Sequence, residues 1–187
     1  PDAPEKEIEG DRPELVDMVK ELLVPIEHMD GDRLPVSAFT KYADGTFQQG
    51  ASAYQKLGTA VSVPEWDDTK CIQCNKCAYV CSHAAIRPFA LTAQEAKSAP
   101  AAARCVPLKA GAGKDKYCFT MAVSPLDCMG CTVCVSACPT GALKMAPREG
   151  QMKQQPVWKY MTENVSEKPD MCDRTVRGSQ FSKPLLE

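Results

Sequence analysis

Eight cysteines repeat one spacing twice between residues 71 and 138. Both runs read C-x2-C-x2-C-x3-C, and thiolates are strong ligands for soft metal ions. A 4Fe-4S cluster needs four converging thiolates; the short C-x2-C-x2-C loop can supply three, and the fourth must come from elsewhere. The spacing therefore predicts two 4Fe-4S clusters. The first run is Cys71, Cys74, Cys77 and Cys81, and the second is Cys128, Cys131, Cys134 and Cys138.

The fourth cysteine of each run is predicted to serve the cluster of the other run, as in two-cluster bacterial ferredoxins. The first cluster would then be held by Cys71, Cys74, Cys77 and Cys138. The second cluster would be held by Cys128, Cys131, Cys134 and Cys81. Because each half of such a domain contributes to both clusters, neither half is expected to be stable alone.

Zinc and disulfides are the two other chemistries that such cysteines can serve. Paired C-x2-C knuckles bind zinc, but a third cysteine at the same short step is unusual for a tetrahedral site, so a structural zinc module is the remote alternative. A disulfide framework is disfavoured because the acidic N-terminus lacks a signal-peptide pattern and 187 residues can form a core unaided. We therefore expect a reducing intracellular compartment: the cytoplasm, or a hydrogenosome or plastid in a eukaryote.

Four further residues have side chains suited to metal binding. His83 follows Cys81 directly, but each cluster already has four thiolates, so we interpret it as a hydrogen-bond donor near the cluster or a packing residue. Cys105 and Cys118 lie in or beside an insertion, without a histidine nearby, and are interpreted as unligated thiols rather than a third metal site. Cys172 in the polar tail has the same interpretation.

The net charge of −2 hides a strong asymmetry along the chain. Residues 1–68 contain 15 acidic and 6 basic side chains, whereas residues 69–146 contain 3 acidic and 9 basic ones. The basic residues are dispersed and no nucleic-acid motif surrounds them, so no nucleic-acid partner is expected. No apolar run approaches the ~18 residues of a membrane span. Cations near the cysteines are instead expected to stabilise two anionic clusters.

An internal repeat of strand, cysteine loop, short helix and strand is predicted twice. The strand before each cysteine run is expected to pair with the strand after the other run, which gives two antiparallel hairpins related by a pseudo-twofold axis. The fold class is therefore α+β: a two-cluster ferredoxin-like domain flanked by extended linkers and one N-terminal helix. The predicted strands are 60–65, 84–89, 119–123 and 142–145.

Three segments follow from this pattern: an N-terminal linker and helix at 1–59, the two-cluster domain at 60–147 with an insertion at 91–117, and a C-terminal connector at 148–187. Apolar spacing predicts a helix from Pro13 to Ile26 that Pro25 ends, with a stripe that needs a partner surface outside the chain.

The remaining segments give weaker patterns. Residues 28–63, with Asp-Gly pairs at 30–31 and 44–45, are predicted to be extended chain with turns. Thr92 is expected to cap a helix in the insertion, followed by a mobile surface loop. The C-terminal connector shows only a possible short helix near 158–164.

Five segments of the chain are more specific than the cysteine spacing alone. They are PVSAF (35–39), CIQCNKC (71–77), AAIRPF (84–89), VSPLDCMGCTVC (123–134) and CPTGAL (138–143). Together they resemble the ferredoxin-like domain of pyruvate:ferredoxin (flavodoxin) oxidoreductase, the thiamine diphosphate enzyme that converts pyruvate to acetyl-CoA and carbon dioxide. The similarity extends from residue 35 to the C-terminal connector. One departure is Ser82, where the family pattern has proline after the cysteine.

The resemblance implies an electron-transfer domain that carries electrons from pyruvate oxidation through two 4Fe-4S clusters to ferredoxin or flavodoxin. No catalytic residue is expected here; thiamine diphosphate, Mg²⁺ and a third cluster would belong to other parts of the enzyme, which are also the expected partners. The alternative is a ferredoxin-type subunit of another 2-oxoacid oxidoreductase or a hydrogenase. The basic loop with Lys109, Lys114 and Lys116 is expected to contact the acidic acceptor.

Overall fold

The computed structural model describes residues 13–51, 54, 56–109 and 115–171. The chain divides into two compact units, Pro1–Leu57 and Gly58–Glu187. The predictions for Lys114, for Cys172 and for the last part of the C-terminal connector lie outside the described residues. No helix in the described part of the chain is both long and apolar enough to cross a membrane.

The first unit begins with three consecutive helical segments: α1 (Pro13–Met18), a π-helical turn (Val19–Leu23) and α2 (Val24–Glu27). The predicted helix is confirmed, but the prediction that Pro25 ends it is wrong. In the π-helical turn the Val24 N–H donates to the Val19 carbonyl, and Pro25 lies in the first turn of α2, where its missing N–H is tolerated.

The apolar stripe of these helices is buried within the chain itself. Val19 is fully buried, and the expectation that the stripe needs a surface outside this chain is wrong. The linker that follows also differs from the extended chain we predicted, because it contains two 3-10 helices, Gly31–Arg33 and Val36–Tyr42. The stripe consists of Leu15, Val16, Met18, Val19 and Leu22.

Two antiparallel sheets organise the second unit, one of β1 and β5 and one in the order β2-β4-β3. The strand before each cysteine run pairs with the strand after the other run, so the predicted pairing is confirmed. Val63 lies opposite Ala146 in one sheet, and Phe89 lies opposite Thr120 in the other. The strands are β1 (Ser62–Trp66), β2 (Ile86–Leu91), β3 (Val106–Pro107), β4 (Cys118–Val123) and β5 (Leu143–Pro147).

Short helices follow the cysteine loops, and a longer one covers the larger sheet. The predicted helix in the insertion is present, because the Thr92 hydroxyl accepts from the Glu95 N–H and the Glu95 carboxylate accepts from the Thr92 N–H. The helices are α3 (Lys76–Tyr79), α4 (Ala93–Ser98), α5 (Val133–Ser136), α6 (Arg148–Gln151) and α7 (Gln154–Asn164), with a 3-10 turn at Pro169–Met171.

The C-terminal segment packs more closely than the sequence indicated. Helix α7 starts four residues before the predicted helix, and its Val157 and Met161 are buried against Phe89 and Leu91 of β2. These contacts form one of two apolar clusters in the unit. The C-terminal connector up to residue 171 is therefore part of the folded unit.

The insertion contains a disulfide bond between Cys105 and Cys118. Strand β3 runs antiparallel to β4 with Pro107 opposite Cys118, which brings the two Cα atoms to 5.7 Å, within the usual range for a disulfide. The interpretation of these cysteines as unligated thiols is wrong, and so is the expectation of a chain without disulfides. The start of the insertion is held against the sheet rather than forming a loose loop.

Candidate metal centre

One cavity is lined by the thiols of Cys71, Cys74, Cys77 and Cys138, which we call the first thiol ring. Cys71 and Cys74 lie on the loop that leads into α3, Cys77 lies in α3 itself, and Cys138 follows α5. The β1–β5 and β2–β4 pairings bring these distant segments together. Apolar side chains complete the cavity, among them Trp66, Met121 and Leu143.

A second cavity is lined by the thiols of Cys81, Cys128, Cys131 and Cys134, the second thiol ring. Ile86 and Met145 add apolar surface, and His83 also lines the cavity. The His83 Nδ1 atom lies 3.1 Å from the Ser82 hydroxyl oxygen. The two thiol rings contain the same residues as the two ligand sets expected from the spacing, and all eight cysteines are free of disulfides.

The two cysteine loops share an unusual backbone conformation at matching positions. The second and fourth residues after the first cysteine have positive φ in both loops, with values of 60° and 57° in one and 67° and 65° in the other. The N–H of the second residue points at the first cysteine in each case, at 3.4 Å from Sγ. Such left-handed steps turn successive N–H groups toward one point. The residues are Gln73 and Asn75 in the first loop, and Gly130 and Thr132 in the second.

Burial changes the acidity of several ring thiols. It raises the pKa of Cys77 to about 12 and that of Cys134 to about 11, and it also raises the pKa of Cys128. At Cys138 burial acts in the same direction, but hydrogen bonds from Thr140, Ala142 and Leu143 outweigh it and lower the pKa. The Ala142 N–H lies 3.2 Å from the Cys138 Sγ. Binding of a metal centre to the buried thiols therefore releases protons.

These features fit a 4Fe-4S cluster. Each ring offers four thiols around an apolar cavity, and backbone N–H groups are directed at the sulfur atoms, where they stabilise thiolate charge. Among the described residues, no three side chains of His, Cys, Asp or Glu converge closely enough to share a single metal ion. Thiols distributed around a cavity suit a cluster with several iron atoms.

A contact that the sequence did not indicate joins the first cysteine loop to the insertion. The Gln73 side-chain amide donates to the Pro107 carbonyl at 2.9 Å and accepts from the Lys109 N–H at 2.8 Å. The Lys109 ammonium donates to the Cys71 carbonyl at 2.6 Å. Lys116 pairs with Asp170 at 3.3 Å. Two of the three lysines expected to contact an acceptor therefore have partners within the chain.

Two family patterns match the chain. Residues 2–60 match the EKR domain, a domain of unknown function, and residues 70–142 match the 4Fe-4S dicluster domain. The second match contains both thiol rings, and it assigns two 4Fe-4S clusters to this part of the chain.

Curated relatives are large oxidoreductases. The chain is 43% identical to pyruvate-flavodoxin oxidoreductase of Enterobacter agglomerans over 90% of its own length and 14% of that protein. It is 40% identical to pyruvate:ferredoxin oxidoreductase of Moorella thermoacetica, over 91% of the chain and 15% of that protein. It is 45% identical to pyruvate dehydrogenase [NADP(+)] of Cryptosporidium parvum, over 90% of the chain and 9% of that protein. The chain thus spans only a small part of each relative.

Proposed function

We propose that the chain is the electron-transfer section of a pyruvate-flavodoxin or pyruvate:ferredoxin oxidoreductase. It belongs to this family of enzymes, of which it contains the 4Fe-4S dicluster ferredoxin region. A 4Fe-4S cluster, when bound, takes up and releases one electron at a time. In this proposal the electrons come from oxidation of pyruvate in other parts of the protein, where thiamine diphosphate, Mg²⁺ and a third cluster would be held. They leave to ferredoxin or flavodoxin.

The presence of two thiol rings within one folded unit is the observation that carries this proposal. Burial raises the pKa of Cys77 in the first ring, and the nearby charges of Cys71 and of Cys134 in the second ring act in the same direction. Apolar side chains line both rings, and Cys131 of the second ring is exposed to solvent.

We also propose that the ligands cross between the two cysteine runs. Cys71, Cys74, Cys77 and Cys138 would hold one cluster, and Cys128, Cys131, Cys134 and Cys81 the other. The lining of the two cavities supports this assignment. The matching positive φ values and N–H to Sγ contacts of the two loops support a pseudo-twofold relation between the halves.

Metal and sulfide analysis of the purified chain tests the electron-transfer function. We expect about eight iron atoms per chain, acid-labile sulfide and a broad visible absorption that bleaches on reduction. Colourless protein with bound zinc and no sulfide would instead support a structural zinc module. About four iron atoms per chain would contradict the assignment of two clusters.

Single substitutions test the crossed ligands. Cys138→Ala is expected to damage the cluster held by Cys71, Cys74 and Cys77, although Cys138 belongs to the other run. Cys81→Ala should damage the second cluster, so the two variants should retain different electron paramagnetic resonance signals. If each variant instead loses the cluster of its own run, the ligands do not cross.

The site of contact with the acceptor is a separate proposal. Lys109, Lys114 and Lys116 lie in the basic insertion, and an acidic ferredoxin or flavodoxin would be attracted to it. Lys109 and Lys116 have contacts within the chain, and Lys114 lies outside the described residues. The reducing compartment also remains a proposal, supported by the need of the ring thiols to stay reduced before they bind iron, whereas the Cys105–Cys118 disulfide is of a kind that is rare in such compartments.

A further inference from the structure

The side chains of Gln73 and Lys109 join the insertion to the loop of the first thiol ring. Gln73 follows Cys71 by two positions, and its backbone N–H points at the Cys71 Sγ. Its amide binds the backbone of the insertion through both polar atoms, at Pro107 and at Lys109. The insertion is thereby held at a fixed place beside the ring.

Two further features hold the part of the insertion that Gln73 contacts in place. Strand β3 pairs with β4, with Val106 opposite Phe119 and Pro107 opposite Cys118. The Cys105–Cys118 disulfide attaches the same segment covalently to β4. Lys109 comes two residues after β3, so its Cα atom is held in place even though its side chain is exposed to solvent.

We propose that Lys109 is a positioning residue whose ammonium, bound to the Cys71 carbonyl, raises the reduction potential of the cluster in the first thiol ring. This inference rests on the proposed function, because it assumes that the ring holds a redox-active cluster. Reduction adds one negative charge to the cluster, and a nearby cation stabilises the reduced form more than the oxidised form. The ammonium and the Gln73 amide also polarise the loop that carries the Cys71 thiolate.

The second ring lacks an equivalent of this contact at the matching position. Gly130 replaces Gln73 there and has no side chain with which to bind another segment. Lys76 lines the first cavity and Lys70 directly precedes Cys71, so Lys109 is not the only cation near that ring. We therefore expect Lys109 to affect one cluster selectively and to contribute to a difference between the two midpoint potentials.

The experiment compares K109Q, K109R and K116Q in the full chain with both clusters bound. K116Q is the matched control, because Lys116 lies in the same insertion but its ammonium pairs with Asp170. Each protein is titrated potentiometrically and followed by electron paramagnetic resonance, with iron content and thermal stability measured on the same samples. We expect K109Q to shift one of the two midpoints to a more negative potential, K109R to restore it, and K116Q to change neither.

Several outcomes would overturn the inference. Unchanged midpoints in K109Q with full iron content would show that the ammonium has no effect on the cluster. Equal shifts of both midpoints would indicate an effect of net charge rather than of position. Loss of the first cluster in both K109Q and K109R would show a purely structural role. Absence of bound iron in the unmodified chain would instead contradict the proposed function itself.

Discussion

Glu95 connects the C-terminal segment to the insertion through one carboxylate. Its Oε1 accepts from the Ser166 N–H at 2.9 Å and from the Lys168 ammonium at 3.1 Å, while Oε2 accepts from the Thr92 N–H at 2.7 Å. The Lys168 side chain is only 3% exposed, and Glu95 is its ion-pair partner. A buried ammonium group without its counterion lowers the stability of the folded protein.

We predict that Glu95→Gln lowers the free energy of unfolding by about 2–4 kcal/mol at neutral pH, because it leaves Lys168 buried without an opposite charge. Thermal or denaturant unfolding measures this change. Glu163→Gln, on the exposed side of α7, is the control and should change stability by less than about 0.5 kcal/mol. Equal effects of the two substitutions would show that the ion pair contributes nothing.

The same carboxylate gives the protein a defined dependence on pH. Burial alone would raise the pKa of Glu95, but its hydrogen bonds to Ser166, Thr92 and Lys168 lower it from 4.5 to about 2. The stabilisation is therefore fully present above about pH 4.5 and is lost as the pH falls toward 2. We expect the difference in free energy of unfolding between wild type and Glu95→Gln to become smaller as the pH falls from 4.5 to about 2. A difference that stays constant over this range would contradict the prediction.

Ligand spacing within a loop is a local property, so the sequence indicated three cysteines of each thiol ring, whereas the fourth, Cys138 or Cys81, was expected only from the pattern of two-cluster ferredoxins. The sequence did not predict the contact of Gln73 with Lys109, because these residues are 36 positions apart and no repeated pattern links them. It misjudged Cys105 and Cys118 for a related reason. Their proximity depends on the pairing of β3 with β4, which the two-residue strand β3 does not signal.

At the scale of the structural elements, two glycines near the ring cysteines distinguish the effect of backbone strain from that of steric crowding. Gly130 and Gly141 both have positive φ, at 67° and 62°. A Cβ atom on Gly130 would lie 3.1 Å from the Ser62 carbonyl oxygen and 3.3 Å from the Ala60 Cβ, whereas one on Gly141 would meet nothing within 4 Å. The second cysteine loop is therefore packed closely against the chain that leads into β1.

We predict that Gly141→Ala lowers the free energy of unfolding by about 1 kcal/mol, because alanine is strained in a left-handed backbone conformation. Gly130→Ala should lower it by about 2–4 kcal/mol, because steric crowding of the new Cβ atom adds to the same strain. The temperature at which the clusters are released should fall further for Gly130→Ala. Iron content of the purified variants provides a second measure. Similar losses in both variants would indicate that the loop moves away from Ala60 without cost.

The Cys105–Cys118 disulfide closes a loop with a sequence separation of 13 residues. We predict that replacing both cysteines by serine lowers the free energy of unfolding by about 2–3 kcal/mol, mainly through greater freedom of the unfolded chain. Because neither cysteine belongs to a thiol ring, iron content should stay at about eight atoms per chain. Loss of iron would show that one of these cysteines is a ligand after all.

Strands were easier to predict than helices in this chain. Each predicted strand overlaps an observed one, because short apolar segments next to a cysteine loop leave few other conformations. Helix α7 gave a weak signal, since Val157 and Met161 are its only fully buried positions. The π-helical turn before Pro25 depends on hydrogen bonding within the helix, which residue patterns do not reveal.

At the scale of the whole molecule, the charge distribution bears on the proposed contact with an acidic acceptor. Residues 69–146 are basic while residues 1–68 are acidic, so the proposal places an acidic carrier at the cysteine-containing part. We predict that Lys114→Glu, in the complete enzyme, slows reduction of an acidic ferredoxin several-fold at low salt. Reduction of the internal clusters by pyruvate should be unchanged.

Salt provides the control for this prediction. The Debye length falls from ~10 Å at 0.1 M to ~3 Å at 1 M ionic strength, so the difference between wild type and Lys114→Glu should disappear at high salt. Stopped-flow measurement of ferredoxin reduction over this range tests it. Rates that do not depend on salt in either protein would place the acceptor elsewhere on the enzyme.

The composition of the two thiol rings has a consequence for how the protein is made. The second ring is complete only after Cys134 has been synthesised, because Cys81 precedes its other three members in the chain. The first ring is complete only after Cys138 has been synthesised. Both rings therefore become complete within a few residues of each other, near the end of this region's synthesis. With the crossed ligand sets that we propose, a chain that ends anywhere before Cys134 would contain no complete set of four cluster ligands.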